Sequence, residues 1–198
     1  LVLSAGMWKT WALVIIYFTT FGGFMALTSW LPTYWTGFFK LSIKYAGLLT
    51  ALYSIVTSIT RACTGKIADS YGGERTAAIA LFISILGTLC MVFSSSIPLS
   101  VVGILLLAVG MGAVNAAVFK IVPRAIPKAI GGASGWIGGI GAFGGFLIPP
   151  LMASFIDKSN KSLVGYSRGF IIFIILIIIS SIILGLISKD RKCEEAVR

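Results

Sequence analysis

Six apolar runs divide this chain: Thr10–Leu31, Tyr45–Ile67, Thr76–Phe93, Pro98–Phe119, Ala129–Ile156 and Phe170–Ile187. Each is close to the roughly 20 residues a helix needs to cross the hydrocarbon core of a bilayer. No water reaches that core, so an apolar run of this length folds as a helix that satisfies its own backbone amides and carbonyls. The connections carry helix-breaking chemistry at Gly72-Gly73, at Ser94 to Pro98, and at Pro123 and Pro127. Hydrophobic residues make up 58% of the 198 residues and charged residues only 11%, where a soluble domain is about a quarter charged. The expected fold class is therefore an all-α membrane protein with six transmembrane helices, one per run. Residues 188–198 form a polar tail.

The basic residues lie between the runs, and their asymmetry gives an orientation. If the helices alternate, one side receives Lys9, Lys66, Arg75, Lys120, Arg124, Lys128, Lys189, Arg191, Lys192 and Arg198. The other receives Lys40, Lys44, Lys158, Lys161 and Arg168. Ten against five places the first side, with both termini and the tail, in the cytoplasm of a multi-pass cell-membrane protein. Trp8 and Trp11 at one end of the first run, and Trp30 and Trp35 at the other, are expected as an aromatic belt.

Several functions are disfavoured. The net charge is +10, but no basic stretch with interleaved aromatics forms a nucleic-acid surface, and the positive-inside bias accounts for the charge. There is no His, and Cys63, Cys90 and Cys193 lack metal-ligand spacing. No nucleophile–base pair or metal cluster can be assembled, so the expectation is a non-enzyme without metal or cofactor. The chain starts Leu1-Val2-Leu3 with no Met and no signal-peptide character, which is expected of a fragment, a processed product or one piece of a split gene.

One charge falls inside a run. Arg61 sits six residues before the last apolar position of the second run, about 9 Å from its end by helical rise. A charge at that depth is costly and normally faces a bundle interior or an aqueous cavity with a partner. No carboxylate lies in any run: Asp69, Glu74, Asp157, Asp190, Glu194 and Glu195 fall in the connections or the tail. The partner can then be an anionic substrate, since a planar guanidinium donates two parallel hydrogen bonds to a planar oxyanion. Alternatively Arg61 snorkels to the inner surface, binds backbone carbonyls or meets a carboxylate from outside these runs.

Tyr17 and Phe21 are one turn apart on the first run and near the depth of Arg61, as a pocket wall or as ordinary packing. The fifth run holds Gly131, Gly132, Gly135, Gly138, Gly139, Gly141, Gly144 and Gly145. Gly131, Gly135 and Gly139 keep a small-xxx-small spacing, and Gly141 and Gly145 repeat it, so close helix packing or bending is expected. Asn115 is expected to make an interhelical hydrogen bond. Gly65 to Arg75 reads as a connecting loop in which Gly72 and Gly73 turn the chain. Asp69 can there meet helix amides or Arg75 as a latch on a gate.

These residues resemble the major facilitator superfamily. Gly65, Asp69, Gly72, Gly73 and Arg75 match its G-x-x-x-D-x-x-G-G-x-R signature, although Ser70 stands where members often carry Arg. More narrowly, Asn115 to Pro123 followed by the glycine-rich helix, together with Thr20-Phe21-Gly22 and Arg61, resembles the nitrate/nitrite porters over about Trp11 to Asp157. The resemblance implies the C-terminal half of a twelve-helix transporter, built as two three-helix inverted repeats whose first and fourth helices line the path. It implies an anion held between two arginines with aromatics above and below. Arg61 corresponds to the arginine of this half, and Tyr17 and Phe21 to its aromatic pair. The expected partners are nitrate or nitrite, the lipid bilayer, and a second six-helix half, which is the N-terminal region, a separate chain or a second copy. Without a proton relay in this half, exchange is expected over proton-coupled uptake. The rivals are a facilitator for another small anion, such as an organic carboxylate, and an inactive half-transporter.

Overall fold

A computed structural model describes residues 1–158 and 164–196. Six helices long and apolar enough to cross a membrane follow the six runs: α1 Trp8–Phe38, α2 Ile43–Tyr71, α3 Gly73–Val92, α4 Ile97–Ala125, α5 Pro127–Ile156 and α6 Gly165–Asp190. Among the described residues there are no strands. The chain is thus an all-helical, multi-pass membrane protein. Of the charges in the orientation count, Lys161 and Arg198 lie outside the described residues, as do the side chains of Lys158, Arg191 and Lys192.

Most helices outrun their apolar stretches. α1 continues seven residues past Leu31 to Phe38, and the chain then leaves it through Lys40 in the left-handed region at φ 56. α4 begins after an extended Ser96, with Pro98 in its first turn, where a missing N–H costs no helical bond. The last helical segment runs Ile171–Ala196, so most of the expected tail is helix. A hydropathy window sees only the lipid-facing stretch and not the polar turns beyond it.

The connection between α2 and α3 is tighter than the sequence suggests. α2 stays helical through Tyr71, which puts Gly65 and Asp69 on the helix instead of in a loop. Gly72 alone makes the turn, at φ 87 and ψ 141, a conformation that favours glycine. Gly73 and Arg75 already belong to the first turn of α3.

α1 and α4 form the interior. Of the most apolar 18-residue stretch of each helix, 61% is buried in α1 and 56% in α4, against 22% in both α2 and α5. The Phe38 end of α1 packs aromatic rings: Tyr34 meets Trp35, Phe38, Phe39 and Phe170 edge-on or stacked, and its hydroxyl lies 2.8 Å from Ser100 Oγ on α4. Trp30 and Trp35 are buried in this region. They are core residues and not the outer half of an aromatic belt; only Trp8 and Trp11, at the other end, are exposed.

Two helices depart from regular geometry. α1 widens into a π-helical turn at Phe18–Gly22, in a segment that sequence periodicity reads as plain α-helix. α5 is broken at Phe143, between Ile130–Ala142 and Gly144–Lys158. Pro149 and Pro150 fall inside the second segment, where they free the carbonyls of Gly145 and Phe146.

Candidate functional site

Arg61 is the nineteenth residue of α2, ten residues and about 15 Å from the Tyr71 end. The helix continues four residues past Ile67, so Arg61 lies well inside α2 and not in its last turn. Its Nη2 donates to Tyr17 Oη at 3.4 Å, a long hydrogen bond. Its guanidinium carbon sits 5.3 Å from the centroid of the Phe21 ring, within cation–π range. Tyr17 and Phe21 stack, with centroids 4.9 Å apart and planes 15° from parallel. The expectation that they share a face is met at the π-turn, which places one ring on each side of its first residues. Phe119 of α4 closes the group edge-on to Tyr17 at 5.1 Å. Sequence reasoning gave Phe119 no role, because only the α1–α4 contact brings it there.

Among the described residues no carboxylate pairs with Arg61. Ion pairs among the described residues lie near helix ends, as with Lys9 to Asp190 at 2.8 Å and Lys120 to Asp69 at 2.7 Å. Asp69 therefore pairs with Lys120 at the end of α4, where the sequence pointed to Arg75 or helix amides. The cause is the helical continuation of α2, which carries Asp69 alongside α4. Lys120 also lines a concavity of about 430 Å³ together with Ser58, Arg61, Asn115 and Phe119 among others. Arg61 thus lines an open, mainly apolar recess together with Phe119 and a second basic residue, Lys120.

Asn115 is 1% exposed, and its Oδ1 has no hydrogen-bond partner among the described residues. The expected interhelical hydrogen bond is not made. Ser58 of α2, which lines the same concavity, commits its hydroxyl elsewhere: Ser58 Oγ donates to Ser54 O at 2.9 Å.

The glycine-rich helix divides into two faces. A Cβ at Gly141 would lie 2.7 Å from the Tyr17 ring, and one at Gly144 2.6 Å from Phe18 O. Gly145 meets Met25, and Gly22 of α1 is closed off by Gly141 and Gly144 in turn. These glycines let α5 seat directly on the π-turn that carries the aromatic pair. Gly132 meets Ser4 and Leu1, and Gly135 only touches Leu1. Gly131, Gly138 and Gly139 have nothing within 4 Å.

The chain is 34% identical to the probable nitrate/nitrite antiporter NarK1 of Thermus thermophilus, over 73% of this chain and 37% of that protein. It is 34% identical to a nitrite extrusion protein of Bacillus subtilis, over 79% and 40% respectively. It is 30% identical to the probable nitrate transporter NarT of Staphylococcus epidermidis, over 96% and 48%. The chain spans less than half the length of these relatives. Its fold matches a bacterial homolog of the human lysosomal transporter Spinster, solved inward-facing and unoccupied, with TM-score 0.73 at 13% identity, over 93% of this chain and 48% of that one. The family profile of the Major Facilitator Superfamily matches residues 4–197, and the chain belongs to that superfamily.

Proposed function

We propose that this chain is the C-terminal half of a nitrate/nitrite transporter, moving its anion by alternating access with Arg61 as the anchor. The observation that carries the reading is the guanidinium deep on α2, held by Tyr17 and Phe21 and left without a carboxylate. An anion supplies the missing partner. A planar oxyanion fits the fork of donors, and the aromatic faces exclude water around it. Relatives named as nitrate and nitrite transporters support this anion class over an organic carboxylate.

The recess is open on one side, so transport needs a second six-helix half to complete its wall. Relatives at least twice as long, and the little-buried α2 and α5, support that partner. With no His in the sequence and no buried carboxylate among the described residues, nitrate/nitrite exchange is favoured over proton coupling. Both termini lie in the cytoplasm on the charge asymmetry.

The test is counterflow in proteoliposomes holding the chain with its second half. Vesicles loaded with nitrite should accumulate labelled nitrate, and Arg61→Ala should abolish the uptake. Nitrate uptake that persists in Arg61→Ala would remove the anchor role. Uptake driven only by an organic carboxylate would replace the substrate.

A further inference from the structure

Asn115 is buried, carries an unpartnered carboxamide and lines the same recess as Arg61. We propose that it is a further ligand of the anion and selects the three-oxygen anion over the two-oxygen one; this rests on the anion-transport reading above. The backbone dictates its position. Gly112, one turn earlier on α4, has no Cβ, and a Cβ there would stand 2.5 Å from Thr57 O and 3.3 Å from Arg61 N. α4 therefore lies against the backbone of Arg61, and the next residue on that face is Asn115.

A polar group without a partner in a membrane interior is a cost to the fold, and an apolar side chain of similar size would avoid it. The hydroxyl of Ser58, which lines the same recess, is spent on the Ser54 carbonyl of its own helix. The oxygen is the sealed end of the carboxamide, which leaves the NH2 end as the donor available to the recess. A ligand that only accepts hydrogen bonds fits that donor.

The stoichiometry of donors gives the selectivity. A guanidinium fork engages two oxygens of a planar oxyanion. Nitrite offers no oxygen beyond those two, whereas nitrate presents a third that is open to a further donor beside the fork. The Asn115 amide supplies one, so losing it weakens nitrate binding and leaves nitrite binding nearly unchanged.

The experiment uses Asn115→Leu in the chain reconstituted with its second half, with half-saturation measured separately for nitrate and nitrite. The expected result is about a tenfold rise for nitrate, the worth of one good hydrogen bond, with less than about a twofold change for nitrite. The variant should also melt at a higher temperature than the unsubstituted protein, since it no longer buries an unpartnered amide. If Asn115→Leu is not monodisperse, Asn115→Met, unbranched and without a donor, carries the same test. Equal changes for both anions, or none, would overturn the role of Asn115 while nitrate counterflow by the unsubstituted protein upholds the anion reading. Absence of that counterflow in the unsubstituted protein would overturn both.

Discussion

The hydroxyl of Tyr17 receives the Arg61 guanidinium at 3.4 Å from a ring that is itself stacked on Phe21, so one side chain both orients the cation and walls the recess. The two roles separate by substitution. Tyr17→Phe keeps the stack and removes the acceptor, and half-saturation for nitrate should rise roughly 2- to 10-fold with the protein still folded. Tyr17→Ala removes both and should lose transport. Equal behaviour of the two variants in counterflow would show that the hydroxyl alone matters.

Arg61→Lys keeps the charge and discards the planar fork. Nitrate transport should fall at least about tenfold, because an ammonium offers a point charge where the site calls for paired donors. Transport at the unsubstituted rate would reduce Arg61 to a source of positive potential.

Close approach of α4 to α2 depends on Gly112. In Gly112→Ala the new methyl meets the Thr57 carbonyl, which is backbone and cannot swing aside. The expected penalty is about 1–3 kcal/mol, read as a lower thermal midpoint, with transport lost as α4 is pushed off Arg61. An unchanged midpoint would mean that the two helices are free to part.

The glycines of α5 should divide in the same assay. Gly141→Ala drives a methyl into Tyr17 and should destabilise this half. Gly138→Ala and Gly139→Ala meet nothing and should stabilise it, each by up to about 1 kcal/mol from helix propensity. Any transport defect in these two would then come from the contact with the second half.

Asp69 and Lys120 are half-exposed, so their pairing should contribute only about 0.2–1 kcal/mol and weaken with salt. A double-mutant cycle with Asp69→Asn and Lys120→Gln should return that coupling, and one with Asp69→Asn and Arg75→Gln should return none. Coupling to Arg75 instead would restore the latch expected from the sequence.

Much of this protein was legible in its sequence because lipid imposes a local rule. A run of apolar residues must be helical, and the gaps between runs must turn, whatever the runs pack against. The same locality exposed Arg61, since an isolated charge within a run needs no alignment to be noticed, and it paired Tyr17 with Phe21, which lie one turn apart. Partners distant in sequence were not legible. Asp69 meets Lys120 fifty-one positions away because α2 remains helical beyond its apolar stretch. Trp30 and Trp35 enter the core because other helices cover them. Glycines of α5 that look alike in sequence differ in the structure, where Gly141 touches Tyr17 and Gly139 touches nothing. Asn115 reads in sequence as a hydrogen-bonded packing residue, whereas in the structure its Oδ1 has no partner among the described residues. The sequence determined the helices and the lone charge through short-range periodicity and the cost of polarity in lipid. Tertiary structure alone decided which faces meet, because that depends on close packing between segments far apart along the chain.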